Sequence, residues 1–141
     1  MHDFNYQKAG SVADAVSALK AADDGKVMAG GMTLLPTMKQ RLAAPSDVID
    51  LGGISGLDGV SVSGGVTVGA MATHAAVAGS STVKSALSAL ANLAEGIGDP
   101  QVRNRGTIGG SVANNDPAAD YPAACLALGA TIKTDRREIS A

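Results

Sequence analysis

An α+β fold is predicted by three features of the sequence. Apolar residues recur at helical spacing over about residues 11–22 and 81–95, short apolar runs end in glycine pairs, and residues 60–69 alternate strictly around Gly64-Gly65. The first feature calls for amphipathic helices, the second for strand-to-turn junctions, and the third for an antiparallel hairpin.

Taken in order, Ser11-Val12-Ala13-Asp14 resembles a capping box, and Val12, Ala15, Val16 and Leu19 follow at helical spacing until Asp23-Asp24-Gly25 ends the pattern. Lys26-Val27-Met28-Ala29 reads as a short buried strand running into Gly30-Gly31. Thr33 then stands where it can cap a helix holding Leu34, Leu35, Met38 and Leu42, with Pro36 early enough to be accommodated. A strand over Asp47–Leu51 completes a β-α-β-α-β lobe ending near Gly56.

Beyond it, Val60-Ser61-Val62-Ser63 and Val66-Thr67-Val68-Gly69 flank Gly64-Gly65, a pattern that predicts a type I′ turn with positive φ at both glycines. Val83, Leu87, Leu90, Leu93, Ala94 and Ile97 predict one helix from about Ser81 to Glu95. Gly98 to Gly106 is polar and reads as an irregular loop delivering the chain to Gly109-Gly110. Asp116-Pro117 and Asp120-Tyr121-Pro122 offer two helix starts, and Thr131–Thr134 is a strand followed by the beginning of a partner strand. The organisation expected is an N-terminal lobe over residues 1–56 and a second lobe over 57–141.

Composition narrows the function classes. Hydrophobic residues make up 45% and aromatics 2%, so the core is built from small aliphatic side chains with close backbone approach. A net charge of -2 and a pI near 5.5 give no basic field for nucleic acid or an anionic membrane, so any phosphate site is local. The lone Cys125 allows no internal disulfide and cannot by itself hold zinc or an iron–sulfur cluster. No signal peptide or bilayer-spanning run is visible, and a cytoplasmic location is expected.

Ala29-Gly30-Gly31-Met32-Thr33-Leu34 and Thr107-Ile108-Gly109-Gly110-Ser111 carry the chemistry. Segments without a Cβ can bring several backbone N–H groups against a phosphate, and the first of them follows a strand and opens a helix. Taken singly, Gly30-Gly31 reads first as a tight strand-to-helix turn capped by Thr33, and only with the second pair as a phosphate site. Neither a Gly-x-Gly-x-x-Gly fingerprint nor a P-loop is present. At single positions the alternatives stay open. Asp120 reads as a site residue or a helix cap, and His74 as a capping or packing residue. Arg103 and Arg105 read as phosphate contacts, loop braces or partner contacts, and Cys125 as a buried small hydrophobe.

The dense string Arg103-Asn104-Arg105-Gly106-Thr107-Ile108-Gly109-Gly110-Ser111-Val112-Ala113-Asn114-Asn115-Asp116-Pro117-Ala118-Ala119-Asp120 resembles a signature of the flavin-binding subunits of molybdenum hydroxylases. That group includes carbon monoxide dehydrogenase medium subunits and the central domain of xanthine dehydrogenase. The opening Met1–Tyr6, the Ala29-Gly30-Gly31 segment with Leu34-Leu35-Pro36, Pro45 with Val48–Leu51, and Thr73-His74 fit it as well, so the likeness covers nearly the whole chain.

The resemblance implies an FAD-binding fold of the vanillyl-alcohol-oxidase (PCMH) type in which two glycine segments hold a pyrophosphate from opposite sides. It carries over Val27, Met28, Ala29, Gly30, Gly31, Met32, Thr33 and Leu34 as cofactor contacts, with Thr107, Ile108, Gly109, Gly110 and Ser111, mainly through backbone amides. Asp120 matches an aspartate that hydrogen-bonds the flavin portion, Asn114 lines the same groove, and Ile97 falls near a position over the isoalloxazine. Met32-Thr33 stands where many relatives have a small polar pair such as His-Ser, which removes one hydrogen-bonding side chain.

The same resemblance implies an electron-transfer role beside a small partner carrying 2Fe–2S clusters and a large partner carrying molybdopterin, in a heterotrimer whose dimerisation stays open. No catalytic side chain and no metal ligand is expected on this chain. Relatives continue into a C-terminal lobe, so the chain is expected to be truncated. An assembly fragment or a stand-alone flavin oxidase are the competing readings.

Overall fold

The computed structural model describes residues 1–141. The chain begins with strand β1 (Asn5–Lys8), helix α1 (Val12–Ala21), strand β2 (Gly25–Met28), helix α2 (Leu34–Lys39) and strand β3 (Asp47–Asp50). The three strands form a parallel sheet in the order β1-β3-β2, with Tyr6 opposite Val48 and Val27 opposite Ile49. Ser11 caps α1 by accepting the Asp14 N–H at 3.1 Å, and Ala15 from that helix meets Ile49 and Ala9 in a small core. The Ser11 cap and the apolar spacing therefore produce the predicted helix at its predicted place, with only the serine half of the capping box formed.

Helix α2 departs from expectation at both ends. Thr33 lies in the right-handed helical region rather than the extended geometry of an N-cap and makes no side-chain capping bond; its carbonyl takes both the Thr37 N–H (3.2 Å) and the Thr37 hydroxyl (2.7 Å). The helix stops at Lys39, Arg41 turns the chain at φ 59°, and Leu42 is left 76% exposed rather than helical.

Strands β4 (Val60–Val62) and β5 (Val66–Val68) form the expected antiparallel pair, with Val62 opposite Val66. The turn is not type I′. Three residues connect the strands, the Ser63 N–H donates to the Gly65 carbonyl at 3.0 Å, and only Gly64 takes a positive φ (69°). Helix α3 (His74–Gly79) follows, capped by Thr73, whose hydroxyl accepts the Ala76 N–H at 3.1 Å.

The single helix predicted over 81–95 is two: α4 (Ser81–Ala86) and α5 (Ser88–Gly96). Leu87 leaves helical geometry (φ -142°, ψ 68°), and its carbonyl collects the Leu90 and Ala91 N–H groups to start the second piece. The bend lets both helices pack on the same core, in which Val83 meets Leu90, Ala91 and Ala94 together with Ala72, Val77 and Tyr121. Apolar periodicity runs unbroken through Leu87 and cannot show such a bend.

The polar stretch after α5 holds a short helix, α6 (Pro100–Arg103), with Asp99 as its cap (Val102 N–H to Oδ1, 2.8 Å). Helix α7 (Ile108–Asn114) absorbs the second glycine pair into its first turn, and Asn115 ends it in the left-handed region at φ 48°. Helix α8 (Asp120–Ala127) starts at the second of the two predicted sites, whereas Asp116-Pro117 forms only a turn. Strands β6 (Thr131–Lys133) and β7 (Glu138–Ser140) close the chain as an antiparallel pair.

Candidate functional site

The two glycine segments meet. A Cβ on Gly30 would collide with the Arg105 carbonyl oxygen and stand 2.5 Å from its carbon, so the two main chains touch only because this residue has no side chain. Gly31 turns the chain at φ 74°. The second segment is anchored from the other side: Thr73 and Thr107 form an antiparallel bridge, with the His74 N–H on the Gly106 carbonyl and the Ile108 N–H on the Ala72 carbonyl, both at 3.0 Å.

The segments border one groove of about 780 Å³. Val27 through Leu34, Ile97, Thr107, Gly109, Gly110, Ser111 and Asn114 line it. Two residues singled out from the sequence do not. Ile108 turns into the hydrophobic core, and Asp120, exposed at the start of α8, stands beside His74 and Tyr121 outside the lining. Asp120 makes no capping bond either; Ala119 precedes the helix without a side-chain cap.

The segments differ in what their backbones have left to offer. None of the N–H groups from Ala29 through Leu34 has an acceptor within the chain, although the helix they lead into starts only at Leu34. In the second segment the amides are consumed: Ile108 by Ala72, Gly109 by the Ala70 carbonyl (2.9 Å), Gly110 by the Thr107 hydroxyl (3.1 Å) and Ser111 by the Thr107 carbonyl (3.0 Å). Only the Thr107 N–H remains unpaired there. The resemblance implies contacts mainly through backbone amides in both segments, and the amides left free lie mostly in the first. The first segment holds the donors, and the second supplies a side-chain-free wall and one further N–H. A run of unpaired main-chain donors on a concave surface is a site for an anion, since such groups otherwise find partners in folded proteins.

The surrounding side chains are mostly structural. Arg103 braces the approach by donating to the Ile97 (3.2 Å) and Gly98 (3.0 Å) carbonyls. His74, 5% exposed, lines the groove and packs on Tyr121 with ring centroids 5.3 Å apart. Its Nδ1 and the Tyr121 hydroxyl are buried without partners. Burial pushes the His74 pKa down, partly offset by the Asp120 charge; burial, then Asp120 and Cys125, push Tyr121 well up. The half-buried Cys125 thiol is pushed up by burial, away from the reactive thiolate. No group of three or more His, Cys, Asp or Glu converges, and no helix is long and apolar enough to cross a membrane.

Sequence reasoning missed Ala70 and Met71, which line the groove just after β5. The small residues of Gly69-Ala70-Met71-Ala72 were the available signal, because Gly109 can approach Ala70 only where neither side chain is large.

The chain belongs to the family described as the FAD binding domain in molybdopterin dehydrogenase, whose model matches residues 2–140. It is 42% identical over 141 residues to the nicotine 6-hydroxylase medium subunit of Paenarthrobacter nicotinovorans, a match covering 96% of this chain and 50% of that protein. It is 43% identical over 129 residues to the carbon monoxide dehydrogenase medium chain of Afipia carboxidovorans, covering 90% of this chain and 45% of that one. Among solved structures, a cyanide-inactivated Cu,Mo-CO dehydrogenase superposes with a TM-score of 0.93 at 39% identity, over 99% of this chain and 51% of the other. The fold is thus the PCMH-type FAD-binding fold of oxidoreductase subunits, and the chain spans about half the length of the curated relatives it matches.

Proposed function

We propose that the groove between the lobes at residues 1–56 and 57–141 holds FAD, in the medium subunit of a molybdenum hydroxylase complex. The observation that carries this reading is the run of unpaired N–H groups from Ala29 to Leu34 facing the close-packed second segment. These donors would take the diphosphate, with the Thr107 N–H opposite and Gly109, Gly110 and Ser111 as the wall that a side chain would fill. Ile97 and Asn114 would border the rest of the cofactor. Asp120 would reach the flavin portion only from the rim of the site, since it lies outside the groove lining.

A flavin held there supplies electron transfer between the 2Fe–2S clusters of a small partner subunit and an external acceptor, substrate being oxidised at molybdenum in a large partner. The chain's own work is to bind and orient the cofactor. The relatives' names, medium chains of dehydrogenases and hydroxylases, support a heterotrimeric assembly. A cytoplasmic location follows from the same reading.

The test is the flavin content of the purified chain after incubation with FAD, read from the ratio of visible to protein absorbance. Substoichiometric FAD is expected for these 141 residues, and full occupancy when the chain is extended to the length of its relatives. Colourless protein from both would overturn the reading.

A further inference from the structure

A polar cavity of about 250 Å³ adjoins the groove and shares Ala29, Gly30, Met71 and Thr107 with it. Lys8, from the end of β1, and Arg105, from the turn after α6, also line it, together with Asp50, Gly52 and Asn104. The hydrogen-bonding partners within it are unevenly matched. Asp50 already receives the Tyr6 hydroxyl at 2.6 Å and the Gly52 N–H at 2.8 Å, and the Asn104 side-chain amide is tied to the Pro100 carbonyl at 2.7 Å. Lys8 and Arg105 have no such partner. The chain's ion pairs are Lys26 with Asp24 and Arg136 with Asp135, both elsewhere.

Lys8, Arg105 and three residues with unpaired N–H groups, Ala29, Gly30 and Thr107, thus line one cavity from three separate parts of the chain. The Lys8 stem is set in place by Gly53, whose missing Cβ would stand 3.2 Å from the lysine Cγ and Cε. Amide dipoles orient a diphosphate but leave its charge uncompensated, and this chain, at a net charge of -2, has no general positive field to do so.

Resting on the FAD reading above, we infer that Lys8 and Arg105 are the residues that neutralise the cofactor's diphosphate, and that they make the site select phosphate-bearing flavin over riboflavin. Both side chains are exposed, so replacing them leaves the fold intact.

The test is calorimetric titration of the chain with FAD, ADP, inorganic pyrophosphate and riboflavin, in wild type, Lys8→Gln, Arg105→Gln and the double variant. The Kd for FAD and ADP is expected to weaken about five- to tenfold for each single change and about thirtyfold or more for both. Riboflavin binding should not move, the salt dependence of FAD binding should flatten, and Lys8→Arg and Arg105→Lys should recover most of the loss. Wild-type protein that binds FAD while the glutamine variants match it overturns the charge assignment alone. Pyrophosphate binding that does not compete with FAD also overturns it, because the cavity would then serve a free phosphate. Failure of both the 141-residue chain and the chain extended to the length of its relatives to take FAD or ADP overturns the FAD reading and this inference with it.

Discussion

Replacing Gly30 with alanine would place a methyl carbon 2.5 Å from the Arg105 carbonyl carbon and 3.0 Å from the Gly106 nitrogen, on top of the collision with the Arg105 oxygen. Carbon atoms rest at about 3.5–4.0 Å, so the two main chains must part by about 1 Å, and neither can rotate out of the way as a side chain could. Overpacking of this kind costs about 1–3 kcal/mol. The displaced Arg105–Gly106 peptide is followed directly by the Gly106–Thr107 peptide, whose carbonyl accepts the His74 N–H and whose N–H is the free one of Thr107, so the gap opens inside the site. For a chain of this size, 2 kcal/mol corresponds to a fall in Tm of about 5–10 °C. FAD retention should fall at least about tenfold, the equivalent of one hydrogen bond to a charged phosphate. The control is Gly79→Ala, at the end of α3 with nothing within 4 Å of its Cβ position and no positive φ; it should keep its flavin and gain about 0.5 kcal/mol or slightly more. Differential scanning calorimetry and flavin absorbance read both quantities. If Gly30→Ala matched Gly79→Ala in either one, the close approach would not matter as argued.

Three further expectations follow from the same geometry. Thr107→Ala should lower stability to chemical denaturation by about 1 kcal/mol through loss of its cap on Gly110, and Thr107→Ser should recover at least half; equal losses would remove the hydroxyl as the cause. In the β4–β5 turn, Gly64→Ala should cost about 1 kcal/mol while Gly65→Ala costs almost nothing in thermal unfolding, since only Gly64 has a positive φ; equal costs would restore the type I′ turn. Burial depresses the His74 pKa, so the unfolded chain binds the proton more readily than the folded one; the stability due to neutral His74 is then complete above its ordinary value of about 6.5 and lost as pH falls below it. Tm measured against pH should therefore drop more steeply below about 6.5 in wild type than in His74→Gln, and parallel curves would contradict the assignment.

The order of elements from β1 to β3 was legible because its signals are local. Ser11 with Asp14, the apolar spacing after Val12, and the short runs around Val27 and Ile49 each act within a few residues, and parallel pairing with β3 in the centre satisfies all of them. The hairpin was legible in pairing but not in turn type, since two adjacent glycines allow several loops and the register of Val62 with Val66 selects one. The break at Leu87 left no trace in the apolar pattern because both halves keep the same buried face.

The candidate site divides in the same way. Where the backbone must lack a Cβ is written in the residues themselves, so Gly30, Gly31, Gly109 and Gly110 and their neighbours were identifiable without coordinates. Which of their N–H groups stay free is a property of the assembled molecule. The carbonyls of Ala70 and Ala72, on a segment remote in sequence, take the amides of Gly109 and Ile108, while no acceptor takes those from Ala29 to Leu34. A residue type states what the main chain can do at a position, but a hydrogen-bond donor is available only where packing has brought it no acceptor, and that depends on every segment that folds around it.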